Sequence, residues 1–135
     1  MLNSFLQHHA DASINEISFD ATDTVVILTV SGFDKDGVYK DVFTNTSNEV
    51  KDEKVGKFTK TVEKTAFDLS TILSPVVMVN FAYARSEGKA TSLLSWAVKG
   101  ENGMPQYTVV FVTQDKKTIT VVFDVLNGKL LSVTK

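Results

Sequence analysis

Residues 124–131, which read Asp-Val-Leu-Asn-Gly-Lys-Leu-Leu, predict two β-strands joined by a tight turn. Asn127 and Gly128 are residue types that accept the positive φ angles of such turns. Residues 129–133 then return as the last strand, so the chain is predicted to end in a β-hairpin. In the strand before the turn, residues 118–125, four apolar side chains share one face: Ile119, Val121, Phe123 and Val125.

Upstream of this hairpin, the sequence predicts a helix over residues 75–87. Ser74 is a suitable N-cap, and Pro75 already has the φ angle of a first helical position. Gly88 stands where a helix commonly ends. The β-branched residues within 76–79 favour a strand as the alternative.

The remaining segments predict short elements with short connections, which favours antiparallel neighbours. Asp34-Lys35-Asp36-Gly37 predicts a hairpin turn in which Gly37 supplies a positive φ. The predicted elements are strands at residues 24–30, 38–43, 55–64, 93–98 and 107–113, a polar loop at 45–54, and a short helix at 2–10.

The composition limits the class of protein. The chain has 135 residues, of which 43% are hydrophobic and 22% charged, as expected of one globular domain. Two units of about 65 residues that pack together are the alternative, because each would be marginal alone. A formal net charge of −2 argues against a nucleic-acid-binding protein, which normally has a basic patch. Because cysteine is absent, disulfides, thiolate catalysis and cysteine-ligated metals are excluded.

The residues do not indicate a compartment. Residues 1–6 lack the basic segment and apolar core of a signal peptide. No apolar run approaches the roughly 20 residues that a membrane-spanning helix needs.

Two stretches suggest a family. One is the aromatic-led strand Tyr107-Thr108-Val109-Val110-Phe111, and the other runs from Thr120 to Leu131, with Asp124 ahead of Asn-Gly-Lys and an aliphatic pair. With the helix start at Ser74 and the strand containing Trp96, segment 74–131 resembles the PepSY domain family. Residues 1–65 carry no such resemblance. The resemblance implies a domain outside the cytoplasmic membrane that binds or restrains partners, peptidases among them, and it implies no catalytic residues.

These elements together predict an α+β fold, in which an antiparallel β-meander sheet is packed by one main helix at about 75–87. Two related helix-plus-strands halves are an option within this fold. The chain is expected to be a single domain, residues 1–135, with a PepSY-like unit at about 66–135 and a β-rich half at about 1–65.

No pattern in the sequence predicts a catalytic, cofactor or metal site. The chain lacks a Gly-rich phosphate loop and a His-Glu-x-x-His motif. His8 and His9 are adjacent, so their side chains should point about 100° apart on a helix and to opposite faces of a strand. We therefore expect surface histidines and not two ligands of one metal.

Aromatic residues on the predicted strands have two interpretations. The first is a core under the helix, made by residues such as Trp96 and Tyr107. The second is an exposed sheet face that binds a peptide or a partner strand. On the second interpretation, the candidate partner-binding residues are Tyr39, Phe43, Trp96 and Tyr107.

The sequence thus favours a non-enzymatic protein- or peptide-binding or inhibitory module of bacterial origin, with no cofactor. The alternative is a small-ligand pocket protein or enzyme with an NTF2-like α+β cone fold, since such cones enclose apolar cavities. A third interpretation is an assembly domain that pairs through an edge strand.

Overall fold

A computed structural model describes the chain except for residues 1, 23, 48, 73, 102, 103, 126 and 127. Four strands follow the first helix, two short helical segments form the link, and a third helix precedes four more strands. The elements are α1 (Leu2–His8), β1 (Ser13–Thr22), β2 (Val25–Asp34), β3 (Gly37–Thr44), β4 (Val50–Gly56), α2 (Lys60–Glu63), a 3-10 turn (Leu69–Thr71), α3 (Pro75–Ala84), β5 (Ala90–Glu101), β6 (Met104–Thr113), β7 (Thr118–Asp124) and β8 (Leu130–Thr134).

All eight strands form one antiparallel sheet in the order β4-β3-β2-β1-β5-β6-β7-β8. The first strand of each group of four therefore lies at the centre, where β1 pairs with β5. In this central pair Ile17 lies opposite Val98, and Phe19 lies opposite Trp96. The other strands extend outward as two meanders, which end at β4 on one edge and β8 on the other.

Both longer helices pack on the same face of the sheet. Met78 and Ala82 of α3 lie in a buried cluster with inward residues of β5, β6 and β7. Phe5 of α1 lies in a second cluster with Ile14 and Val30. Ile17 and Phe67 pack against both clusters, so the core is continuous from one half of the sheet to the other.

The link between the two groups of strands is fixed to the central strands. The amide of Phe67 donates to the Ile14 carbonyl over 3.0 Å. The Asn15 side-chain amide donates to the Thr65 hydroxyl, also over 3.0 Å. At the end of β5, Gly100 approaches the Thr65 carbonyl so closely that a Cβ would overlap it.

The expected fold class is wrong. An α+β fold with one main helix at 75–87 underestimates the sheet, which contains eight strands and dominates the described residues. The helices are short, and α1 covers the N-terminal strands as α3 covers the C-terminal ones. The reason is that the N-terminal half contributes four strands of its own. Whether the two halves are related in sequence stays a prediction.

The helix after Ser74 is confirmed, and it ends earlier than expected. The Ser74 hydroxyl accepts from the Val76 amide over 3.2 Å, and Pro75 is the first helical residue. The helix ends at Ala84, because the amides of Arg85 and Ser86 turn back to carbonyls three residues earlier. Gly88 has a φ of 77°, so it reverses the chain toward β5.

Two predictions between residues 45 and 64 are wrong. Residues 50–56 form β4 and not a loop. Residues 60–63 form α2 and not a strand, because the Thr59 hydroxyl caps the helix by accepting from the Val62 amide over 3.0 Å. β4 carries four consecutive charged residues of both signs, Lys51 to Lys54, which suits a strand at the edge of a sheet, where charge opposes pairing with another chain.

A positive φ is predicted for the glycine of two turns, Gly37 and Gly128, and the structure confirms it only for Gly128. Gly37 is the first residue of β3 and not a turn residue with positive φ; a Cβ there would meet the Lys54 side chain at 2.5 Å. The Asp34 carboxylate accepts from the Asp36 amide over 2.8 Å and so stabilises this turn. Gly128 has the predicted positive φ, at 67°. Residues 126 and 127 of that turn lie outside the described residues.

We predict that Gly100→Ala lowers the free energy of unfolding by about 1–3 kcal/mol, because the added methyl group would overlap the Thr65 carbonyl. Gly56→Ala is the matched control, since its Cβ would lie 3.8 Å from Val38 and in ordinary contact. It should change stability by less than about 0.5 kcal/mol. Urea unfolding measures both variants, and equal midpoints would contradict the close approach.

Tyr107 gives a pH-dependent prediction. Its ring is fully buried, and burial raises the pKa of its phenol to about 12. The unfolded value is about 10, so the folded state favours the neutral phenol. This contribution to stability is complete below pH ~10 and is lost as the pH rises to ~12, by up to about 3 kcal/mol. Urea midpoints above pH ~10 should fall less steeply in Tyr107→Phe than in the natural chain. The same slope in both proteins would show that the phenol is not buried.

Candidate functional site

The structure separates the four aromatic candidates. Tyr107 is fully buried and belongs to the core, as the first interpretation of the aromatic residues predicts. Trp96 is half-buried at the centre of the sheet, where it stacks on Phe19 with ring centroids 6.3 Å apart. Phe43 is half-buried on β3, opposite Leu28 of β2. Contact of the half-buried Trp96 and Phe43 with a partner stays a prediction.

Tyr39 leads to a polar cluster that sequence reasoning missed. Its ring stacks on His9, with centroids 4.0 Å apart and planes inclined by 18°. Burial, followed by the charges of Asp34, Asp36 and Asp52, raises the pKa of Tyr39. Tyr39 therefore contacts His9 and lies close enough to three aspartates for their negative charges to act on its phenol.

Asp41 and Asp52 lie directly opposite each other on β3 and β4. They lie on the face that the helices cover, because Asp41 is also paired with Val30, a core residue of β2. Like charges in directly opposite positions of neighbouring strands are destabilising. This arrangement therefore needs a positive charge between the carboxylates.

Two histidines contact this aspartate pair: His8 is the last residue of α1, and His9 directly follows the helix. His8 Nδ1 lies 3.1 Å from Asp41 Oδ2 and 3.4 Å from Asp52 Oδ2. His9 Nε2 lies 2.9 Å from Asp52 Oδ1 and 3.1 Å from its Oδ2. We call these four side chains the histidine–aspartate cluster. The sequence predicts surface histidines that are not two ligands of one metal, and His8 is exposed. What it does not predict is that α1 ends between the two residues and that both rings contact the Asp52 carboxylate.

One atom of the cluster lacks a partner. The Asp41 side chain is fully buried, and its Oδ1 has no hydrogen-bond donor among the described residues. A buried carboxylate is costly unless it is paired with charge and hydrogen-bonded. Each of three side chains, His8, Asp41 and Asp52, offers one atom that could bind a metal ion, and these three atoms lie within 4.8 Å of one another. The cluster can therefore hold a cation.

The second unusual surface is the outer side of α3. The helix sequence Pro-Val-Val-Met-Val-Asn-Phe-Ala-Tyr-Ala contains no charged residue. Met78 and Ala82 face the core, while the remaining side includes large apolar residues that are exposed to solvent. They are Val76 (69%), Val77 (37%), Phe81 (47%) and Tyr83 (53%). We call these four residues the α3 outer surface. An isolated surface helix normally carries polar residues on this side.

Among the described residues, no helix has both the length and the apolar character needed to cross a membrane.

Comparison with known proteins identifies the fold and not the function. No protein-family model matches the sequence, and no curated protein matches it. The structure is similar to the crystal structure of a "putative lipoprotein" from Clostridium difficile 630, with a TM-score of 0.80. The two chains are 20% identical, and the match covers 98% of this chain and 88% of the other. At this identity the likeness shows a common fold alone, so the resemblance to PepSY domains stays a prediction.

We predict that Val76, the most exposed residue of the α3 outer surface, does not stabilise the fold. Met78→Ala should lower the free energy of unfolding by about 2–5 kcal/mol, because Met78 is fully buried. Val76→Ala removes an exposed side chain of the same helix and should change it by less than about 0.5 kcal/mol. Thermal or urea unfolding compares the two. A comparable loss in both variants would contradict the exposure of Val76.

Proposed function

We propose that the protein is a non-enzymatic binding module that acts outside the cytoplasm and holds a protein or peptide partner on the α3 outer surface. One observation carries the proposal. Four large apolar side chains of an uncharged helix are exposed together, although the opposite side of that helix already supplies the core contacts. Exposed apolar patches of this kind mark interaction surfaces.

Burial of the α3 outer surface by a partner would be favourable in free energy. Completing the burial of Val76, Phe81 and Tyr83 would contribute on the order of 1 kcal/mol each, because each is about half exposed or more. Phe and Tyr supply large contact areas with few rotatable bonds, and aromatic residues are enriched at protein interfaces. The Tyr83 ring is held by an edge-on contact with Phe111, whose centroid lies 6.1 Å away, so part of the surface is preorganised.

A polar border accompanies the apolar centre, as in protein interfaces generally. At the C-terminal end of α3, Arg85 is exposed and Glu87 lies 3.4 Å from the Lys135 ammonium. Arg85 and Glu87 follow the apolar residues along the chain, and one polar residue within the helix, Asn80, is also exposed. The border favours a folded protein or peptide as the partner over a purely apolar ligand.

Two similarities support a location outside the cytoplasm. The protein of common fold is described as a putative lipoprotein, and lipoproteins are anchored at membrane surfaces by attached lipid. PepSY domains, which segment 74–131 resembles, are also extracytoplasmic and restrain partners such as peptidases. Both similarities support a partner in the cell envelope, and the PepSY resemblance makes peptidases the first class to test.

The small-ligand alternative has a weaker basis. A depression of about 660 Å³ lies beside Phe33 and Phe58, and acidic residues, among them Asp11 and Asp34, line it. The depression is open to solvent, and its carboxylates make it a poor match for the apolar cavity of a ligand-binding cone.

Site-specific photo-crosslinking tests the proposed surface. A benzoylphenylalanine in place of Phe81 should give a discrete protein adduct in cells of the source organism. The matched control carries the same probe in place of Val55 of β4, which is exposed to the same extent, 48% against 47%. A second substitution, Val76→Glu, should reduce the Phe81 adduct at least tenfold, because it places a charge within the α3 outer surface. The same adducts from both probe positions, or an adduct that Val76→Glu leaves unchanged, would overturn the proposal.

A further inference from the structure

We propose that the histidine–aspartate cluster is a binding site for a divalent first-row transition metal, with His8, Asp41 and Asp52 as the ligands. The site lies between α1 and strands β3 and β4. It belongs to the opposite half of the sheet from α3, and it does not depend on the function proposed for that helix.

The charge arrangement is the first argument. Asp41 and Asp52 are directly opposite on neighbouring strands, and the Asp41 side chain is fully buried. A divalent cation offsets both carboxylates at once. The described residues offer no lysine or arginine within 4 Å of either aspartate, so the offsetting charge comes either from His8 and His9, which are charged only when protonated, or from a bound cation.

The spacing of the donor atoms is the second argument. Tetrahedral zinc holds nitrogen and oxygen ligands at about 2.0–2.2 Å, which places neighbouring ligand atoms about 3.3 Å apart. His8 Nδ1 lies 3.1 Å from Asp41 Oδ2 and 3.4 Å from Asp52 Oδ2. Metal binding therefore requires little rearrangement, since the ion replaces the proton shared between the imidazole and the carboxylates.

The unpaired oxygen is the third and independent argument. Asp41 Oδ1 is buried and has no donor among the described residues. Asp41 Oδ2 is the oxygen that faces His8, so a cation bound by both oxygens of this carboxylate would also contact Oδ1. A cluster built only for hydrogen bonding would leave the atom unpaired.

His9 and Tyr39 lie beside the three proposed ligands, where His9 contacts Asp52 and Tyr39 stacks on His9. His9 Nε2 donates to the Asp52 carboxylate over 2.9 Å, and the ring is held between Tyr39 and Phe5, at centroid distances of 4.0 and 5.1 Å. Partners of this kind orient a metal-binding carboxylate. We assign His9 as a positioning residue that fixes Asp52 and not as a ligand.

The ligand set selects the class of metal. Magnesium and calcium prefer oxygen ligands alone, whereas imidazole suits zinc and its neighbours in the first transition row. Three protein ligands leave an open position on the ion, as in zinc sites that keep one water. The His8 side chain is 43% exposed, which provides a path for the metal to enter.

Zinc binding to the full chain, without an affinity tag and after treatment with chelator, tests the proposal. Titration calorimetry at neutral pH should give one Zn²⁺ per chain, and Ca²⁺ should not compete. Zinc should also raise the melting temperature, because it binds the folded state only. X-ray absorption should show one imidazole nitrogen with carboxylate oxygens at about 2.0–2.2 Å.

The variants are chosen so that loss of folding cannot imitate loss of the metal. His8→Ala and Asp52→Asn change partly exposed side chains and should weaken zinc binding at least tenfold. Glu53→Gln is the matched control: it neighbours Asp52, and its carboxylate pairs with Lys40. It should bind zinc like the natural chain. The absence of saturable zinc binding would overturn the proposal and leave an ion-pair cluster of protonated histidines. Binding that survives His8→Ala unchanged would overturn it as well.

Discussion

The antiparallel pairing of β1 with β5 is the interaction on which the rest of the structure depends. Each group of four strands with its helix contains about half of the chain, and units of that size are only marginally stable alone. The central pair joins them into one sheet, and Ile17 of β1 packs against both buried clusters. Residues 65–67 of the link then cross to the same strands, where Phe67 extends the common core.

The two halves use a similar order of elements for different chemistry. In the C-terminal half, α3 places apolar residues against the sheet and further apolar residues toward solvent. In the N-terminal half, α1 buries Phe5, and its C-terminal end brings imidazole groups to two carboxylates. The first arrangement suits contact with another protein, and the second suits a cation. Neither arrangement requires the other, so each proposal can fail separately.

The sequence predicts those elements whose signal is local. The capping of α3 by Ser74, the alternation in β7 and the positive φ of Gly128 each depend on a few neighbouring residues, and the structure confirms them. β4 could not be predicted from its own residues, because charged side chains on both faces resemble a loop and only pairing with β3 makes the segment extended. The alternation in residues 55–64 was misleading, since Thr59 uses its hydroxyl to cap α2.

The histidine–aspartate cluster could not be predicted from the sequence either, because it also depends on the pairing of β3 with β4. Asp41 and Asp52 become neighbours only through the register of β3 and β4, and the sequence does not show this register, because residues 45–54 predict a loop. His8 and His9 were visible, but their convergence depends on the helix ending between them and on the packing of Phe5 against the sheet. One signal was present: two adjacent histidines in a chain that contains no others. By contrast, the absence of charge in α3 can be read from the sequence, and only the structure shows which of its apolar residues are exposed.

The two edges of the sheet differ in a way that limits self-association. β4 carries charges of both signs between Lys51 and Lys54, whereas β8, Leu-Leu-Ser-Val-Thr, carries none. Hydrogen bonding between copies is therefore easier along β8 than along β4. Two copies joined through β8 would form a closed, two-fold symmetric pair whose outer edges are both charged. Charge on both outer edges would then oppose growth beyond that pair into a fibre, so the charge pattern of one strand would affect the assembly of the whole sheet.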